Sequence, residues 1–158
     1  MGLACGFAAA TREEHVSKLI PFDAITIGTE LGPVETLVSP QSVQQYCEDW
    51  EDANPWYLSD SPFGGRVAPP AFLAGLTAFQ LLSSRYDARS TIGVQTSHRN
   101  LQPIPVGATL VTRGRIADKY VKRGLEYVFV SSTSYASDGT PCRESTDHIL
   151  LSLERVQQ

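Results

Sequence analysis

Five stretches of the chain have residue patterns typical of β-strands. The first covers residues 31–39, in which Val34, Thr36 and Val38 alternate with their neighbours. Four later stretches are rich in β-branched and aromatic residues: 91–98, 109–120, 126–137 and 143–153. Asp138-Gly139 separates the last two, and an Asp-Gly pair favours a hairpin because both residues tolerate positive φ. The pattern therefore predicts one early strand and four later ones.

Between the first and second strands the apolar period changes to that of a helix. Ser39-Pro40 predicts a helix start, because serine is a good N-cap and proline is tolerated in the first turn. An apolar stripe follows at helical spacing: Val43, Tyr46, Cys47 and Trp50. This helix should end before Asn54-Pro55, since the residue that precedes a proline avoids the helical conformation.

A second helix is predicted over residues 71–86. The preceding residues, 54–70, contain four prolines together with Gly64 and Gly65, which predicts an irregular loop. Apolar residues then cover most of the helical circumference, which is typical of a buried helix. The order of elements predicts an α+β fold in which an antiparallel sheet wraps around one long buried helix. We expect a single domain over residues 1–158, with residues 1–10 as a loose N-terminal arm.

Composition and charge narrow the function classes. Thirteen Lys and Arg residues against seventeen Asp and Glu give a net charge of −4, which does not favour nucleic-acid binding. No apolar run approaches the roughly 18 residues that cross a membrane. The three cysteines are far apart and form no CxxC pair, and no histidines have metal-ligand spacing. We therefore expect no metal, no other cofactor and no membrane contact, and a cytoplasmic location with reduced thiols.

Three local motifs resemble those of MaoC-like acyl dehydratases. They are Asp-Ala-Asn-Pro-Trp-Tyr at 52–57, Ala-Pro-Pro at 68–70 before the long helix, and Pro-Ile-Pro-Val-Gly-Ala-Thr-Leu at 103–110. The resemblance covers residues 31–153 and is strongest to the fatty-acid-synthase-type dehydratase halves that carry Ala-Pro-Pro before the central helix. It implies the hotdog fold, whose sheet wraps around a central helix.

The resemblance also implies a chemistry. Members of this family hydrate or dehydrate acyl thioesters with an Asp-x-Asn-Pro-x-His motif, whose carboxylate and imidazole act as base and acid on one water. A glycine N–H at the start of the central helix polarises the thioester carbonyl. The implied catalytic residues are therefore Asp52 and Tyr57, although Tyr57 stands where the family has histidine. Tyrosine titrates near 10, so it suits an acid better than a base.

The carbonyl donor differs as well. Pro69-Pro70 stands where the family has His-Gly, and proline has no N–H to donate. The resemblance thus shifts the donor to Ala71 or Phe72, which we expect to bind substrate together with Asn54. These departures leave three hypotheses open: a hydratase or dehydratase, a non-catalytic hotdog subunit that binds the acyl chain for a catalytic partner, and a hotdog thioesterase.

The expected partners follow from the same resemblance. The substrate is an acyl-CoA or an acyl-carrier-protein thioester. Because a single hotdog sheet leaves a strand edge exposed, we expect a homodimer, or a heterodimer with a catalytic hotdog subunit.

Overall fold

The computed structural model describes residues 21–74, 76–89 and 91–152. The predicted N-terminal arm lies outside the described residues. A short 3-10 turn at Phe22–Ala24 precedes the first strand. The strands are β1 Glu30–Leu37, β2 Ile92–Asn100, β3 Thr109–Lys122, β4 Leu125–Tyr135 and β5 Pro141–Leu150, and the helices are α1 Pro40–Asp49, α2 Pro55–Leu58 and α3 Leu76–Ser83.

The strands form one antiparallel sheet in the order β1-β3-β4-β5-β2. Arg123 and Gly124, with φ of 55° and 74°, make the two-residue turn between β3 and β4. The predicted Asp138-Gly139 hairpin joins β4 to β5, where the N–H of Thr140 bonds the Asp138 carboxylate at 2.8 Å. All nine residues of β2 are exposed, and among the described strands only β5 pairs with it, along one edge. The α+β prediction is confirmed.

Helix α3 packs against the sheet through Leu81, which is completely buried. Two glycines permit this close approach. A Cβ added at Gly114 of β3 would lie 2.8 Å from Leu81 Cδ1, and one added at Gly32 of β1 would lie 3.0 Å from Leu81 Cδ2. The apolar core continues beneath the helix through Ile116, Val128, Val130 and Ile149.

The predicted helix at 71–86 is longer than the observed α3, and the prediction was wrong at both ends. Residues 71–74 form turns in which the Phe72 N–H bonds Pro69 O and the Ala74 N–H bonds Ala71 O. These are three-residue spans, tighter than the four-residue span of an α-helix. The start of the central helix is thus a turn that follows two prolines, and regular α-helix begins only at Leu76.

Helix α1 begins as predicted, with the Ser39 hydroxyl accepting the Ser42 N–H at 3.0 Å. Val43 and Cys47 are buried in a second core cluster, but Trp50 is 71% exposed. The apolar stripe was therefore wrong at Trp50, which is the C-cap of the helix and turns its side chain to solvent. No helix within the described residues is long and apolar enough to span a membrane.

Candidate functional site

The segment that follows α1 presents the Asp52 carboxylate. The Asp52 N–H bonds Cys47 O at 2.8 Å, and the carboxylate accepts the Asn54 N–H at 3.1 Å. Asn54 in turn caps α2, a short helix that the sequence did not predict, by accepting the Trp56 N–H at 3.0 Å. Local hydrogen bonds thus fix Asp52, and the Asn54 side chain supports the segment by capping α2.

Asp52 lines a cavity of about 470 Å³ at the start of the central helix. We call it the Asp52 cavity. Its wall includes Tyr46, Trp50, Pro69, Pro70 and Ala71. One wall therefore comes from α1 and the segment after it, and the facing wall comes from the turn that precedes α3.

Tyr57 lines a different cavity of about 360 Å³, which we call the Tyr57 cavity. Its wall is mainly apolar and includes Trp56, Phe63, Val67, Leu101 and Ile104. Pro69 and Pro70 belong to both cavities, so the two adjoin at the helix start. The Asn100 side chain donates to Pro70 O at 3.1 Å and ties β2 to this shared wall.

The helix start has one of the two predicted donors available. The Phe72 N–H already bonds Pro69 O at 3.0 Å. The Ala71 N–H makes no hydrogen bond with the part of the chain that the structure describes, and Ala71 is exposed on the wall of the Asp52 cavity. Phe72 instead packs in the second core, with its ring centre 5.6 Å from that of Tyr46.

Two tyrosines near Asp52 are held in their protonated form. Burial raises the pKa of the Tyr57 phenol, and the Asp52 carboxylate raises it further. Burial and Asp52 also raise the pKa of the Tyr46 phenol, while the Arg143 guanidinium acts in the opposite direction. Both hydroxyls are therefore hydrogen-bond donors at neutral pH, and neither serves as a base.

Two buried charges lie on the helix-facing side of β5, and sequence reasoning missed both. Arg143 is 3% exposed, and its Nη2 makes no hydrogen bond within the described residues. The Asp147 carboxylate is equally buried and accepts the hydroxyls of Thr96 at 2.7 Å and Ser145 at 3.0 Å. Arg143 and Asp147 are separated from the core residue Ile149 by even numbers of residues, so all three lie on one face of β5. This spacing could have been noticed in the sequence, and charged residues are seldom buried without a reason.

Metal ligation has no evident place in this arrangement. Over residues 21–74, 76–89 and 91–152, no three His, Cys, Asp or Glu side chains come together as metal ligands. Cys47 and Cys142 are free and buried. The chemistry that the site offers is proton transfer and hydrogen bonding by Asp52, the two tyrosines and the Ala71 N–H.

Residues 25–145 match the family model of the FAS1-like dehydratase domain region. No curated protein matches the sequence. The fold is similar to that of the R-hydratase PhaJ1 from Pseudomonas aeruginosa, with a TM-score of 0.70 and 17% identity over 87% of this chain and 88% of that one.

Two further structures are similar. The (R)-hydratase from A. caviae involved in PHA biosynthesis has a TM-score of 0.68 and 15% identity over 81% of this chain and 98% of that one. A chain of the Mycobacterium tuberculosis HadBC complex, a 3R-hydroxyacyl-ACP dehydratase, has a TM-score of 0.66 and 18% identity over 78% and 96%. At these identities the likeness concerns the fold, and it confirms the predicted hotdog architecture.

Proposed function

The chain belongs to the FAS1-like dehydratase domain region family, as its resemblance to MaoC-like dehydratases predicted, and we propose that it hydrates or dehydrates acyl thioesters. The observation that supports this function is the position of Asp52. Asp52 lines the same cavity as Ala71, whose N–H makes no hydrogen bond with the described residues. A base on one side and a hydrogen-bond donor on the other are what α-proton chemistry requires.

In the dehydration direction, the Asp52 carboxylate removes the α-proton of a 3-hydroxyacyl thioester. Negative charge then develops on the thioester oxygen, which accepts the Ala71 N–H. The electron pair forms the α,β double bond and the β-hydroxyl leaves as water once it is protonated. Hydration is the same sequence in reverse. The mainly apolar Tyr57 cavity, which adjoins at Pro69 and Pro70, takes the acyl chain.

Tyr57 contributes differently from the histidine that it replaces. Its phenol stays protonated, so it donates a hydrogen bond to the substrate or to a water in the adjoining cavity. Asn54 assists by holding the turn between Asp52 and α2. Phe72 shapes the wall behind the donor through its packing on Tyr46.

The proposal extends to partners and location. The thioester is carried by coenzyme A or by an acyl carrier protein, and the free buried thiols suit the cytoplasm. The unpaired edge and full exposure of β2 favour association with a second hotdog chain. A copy of the same chain makes a homodimer, and a catalytic relative makes a heterodimer.

A second candidate function is that of a non-catalytic subunit that holds the acyl chain for a catalytic partner. Two observations favour it. Tyr57 replaces the family's imidazole, and Asp52 and Tyr57 line two adjoining cavities rather than one. Under this function the Tyr57 cavity binds acyl chain while Asp52 is dispensable.

The test is hydration of a panel of trans-2-enoyl thioesters of increasing chain length by wild type and Asp52→Asn. Asp60→Asn is the matched control, because Asp60 is an exposed carboxylate that lines neither cavity. We expect Asp52→Asn to lower kcat/KM by about 10²–10⁴-fold, as loss of a general base does, and Asp60→Asn to have no effect. Activity that survives Asp52→Asn contradicts the mechanism. If the wild type is inactive by itself and co-purifies with a second hotdog chain, the non-catalytic subunit function is supported.

A further inference from the structure

The proton that the leaving hydroxyl needs has a source in the Asp52 cavity itself. Tyr46 lines this cavity together with Asp52 and Ala71, whereas Tyr57 lines only the adjoining one. We propose that Tyr46 is the general acid of this site, with the buried Arg143 behind it as a positioning residue that stabilises the phenolate. The inference rests on the proposed function, since it names the proton donor of the same reaction.

The placement of Tyr46 is rigid. It lies in α1, whose first turn is capped by Ser39 and which buries Val43 and Cys47 on the same stripe. Its ring meets the Phe72 ring edge-on, at 5.6 Å between centres and an interplanar angle of 75°. A half-buried side chain on a packed helix holds its hydroxyl in one place, as an acid must.

Arg143 places a buried positive charge near the site. The residue is 3% exposed, and its Nη2 makes no hydrogen bond with the described residues. The carboxylate of Asp147 attracts the guanidinium, but that carboxylate also accepts the hydroxyls of Thr96 and Ser145. Burying a guanidinium with an unbonded nitrogen is costly, and a negative charge that forms beside it during turnover offsets part of this cost.

The phenolate of Tyr46 is that charge. In the sheet Arg143 pairs with Asn100, whose side chain donates to the carbonyl of Pro70 in the wall of the Asp52 cavity. Its positive charge lowers the pKa of the Tyr46 phenol, against the opposing effects of burial and Asp52. A phenol has a pKa near 10, far below that of water, so a phenol readily protonates a departing hydroxide. The higher pKa that burial imposes keeps Tyr46 protonated until that moment.

The proton balance closes over one turnover. Asp52 gains the α-proton, the C–O bond breaks, and the hydroxyl leaves as water with the proton of Tyr46. The α,β double bond forms from the electron pair released at the α-carbon. The proton on Asp52 then returns to the Tyr46 phenolate through water in the shared cavity, so no oxidant, reductant or further reactant is consumed.

The leaving group provides a test that a structural role does not mimic. Fluoride leaves without protonation, so a 3-fluoroacyl thioester needs the base but not the acid. We expect Tyr46→Phe to slow dehydration of the 3-hydroxyacyl thioester by about 10²–10⁴-fold and fluoride elimination by less than about ten-fold. Asp52→Asn should slow both reactions strongly. Tyr135→Phe, which removes the hydroxyl of a half-buried tyrosine on β4 outside the site, should change neither.

Arg143 is tested by the same pair of substrates. Arg143→Met should slow dehydration more than fluoride elimination, and Arg143→Lys should recover part of the difference because it keeps the positive charge. Tyr57→Phe should change both reactions by one common factor. Thermal unfolding of each variant establishes that it is folded.

The outcomes separate this inference from the function on which it rests. If folded Tyr46→Phe loses the same factor in rate on both substrates, the assignment of Tyr46 is overturned. If Asp52→Asn still slows both reactions, the proposed function stands. Selective loss in Tyr57→Phe moves the acid to that residue and also overturns the assignment. Wild type that acts on neither substrate overturns the proposed function and the inference together.

Discussion

Replacing Gly114 by alanine probes the contact that seats the central helix on the sheet. A Cβ at this position would lie 2.8 Å from Leu81 Cδ1, 3.0 Å from Ser131 O and 3.3 Å from Ser132 Cβ. The Leu81 methyl group has some freedom to move, but the Ser131 carbonyl belongs to the β4 backbone and has little. The added methyl group therefore has to displace the helix or separate two paired strands.

The expected cost follows from two opposing effects. Overpacking a close-packed core costs about 1–3 kcal/mol, and the backbone contact puts Gly114→Ala in the upper half of that range. Alanine also restricts the unfolded chain, which returns about 0.4–1 kcal/mol. We expect a net loss of about 1–2.5 kcal/mol in the free energy of unfolding. Gly93→Ala is the matched control in β2, because its nearest contact would be Phe79 Cε2 at 3.8 Å.

Urea unfolding at one protein concentration measures these differences, since association shifts apparent stability. Leu81→Ala by itself should cost about 2–5 kcal/mol, as leucine truncation in a core does. In the Leu81→Ala background the contact with Cδ1 is gone, so Gly114→Ala should cost less by at least about 0.5 kcal/mol. Strict additivity of the two changes, or a Gly114→Ala as stable as Gly93→Ala, refutes the packing argument.

Three other outcomes are expected. Ser39→Ala should lower stability by about 0.5–2 kcal/mol in urea unfolding because it removes the cap of α1, and no change would mean that the cap is not used. His98 is exposed, but partial desolvation, followed by the charge of Arg143, lowers its pKa, so NMR titration should find that pKa below 6.5. The folded form resists this protonation, so stability should fall as pH drops from about 6.5 through that lower pKa, and His98→Gln should lack this component. Light scattering should give about twice the chain mass of 17.2 kDa, and a single-chain mass at micromolar concentration contradicts the homodimer.

Much of the fold was predictable because its signals are local. Enrichment in β-branched and aromatic residues located the later strands, and the turn residues Asp138-Gly139 located their hairpin. The cap at Ser39 located the start of α1 to the residue, because capping needs only a neighbouring N–H. The helix over 71–86 was overestimated for the opposite reason: its residues suit a helix, but after Pro69-Pro70 the N–H groups of Phe72 and Ala74 bond carbonyls three residues back in turns.

In the candidate site, too, some features follow from adjacent residues and others from tertiary packing. By itself, the sequence determined that a carboxylate at Asp52 follows a helix and precedes Asn-Pro, and that Pro69-Pro70 removes the usual donor, since these are properties of adjacent residues. Only the tertiary structure decided which side chains share a cavity with Asp52. It placed Tyr46 in that cavity and Tyr57 in the adjoining one. It also buried Arg143, which follows Asp52 by about ninety residues in the chain, near Tyr46. Cavity walls join segments that are distant in the chain, so the partners of a catalytic group depend on how the helices seat on the sheet, which no local pattern encodes.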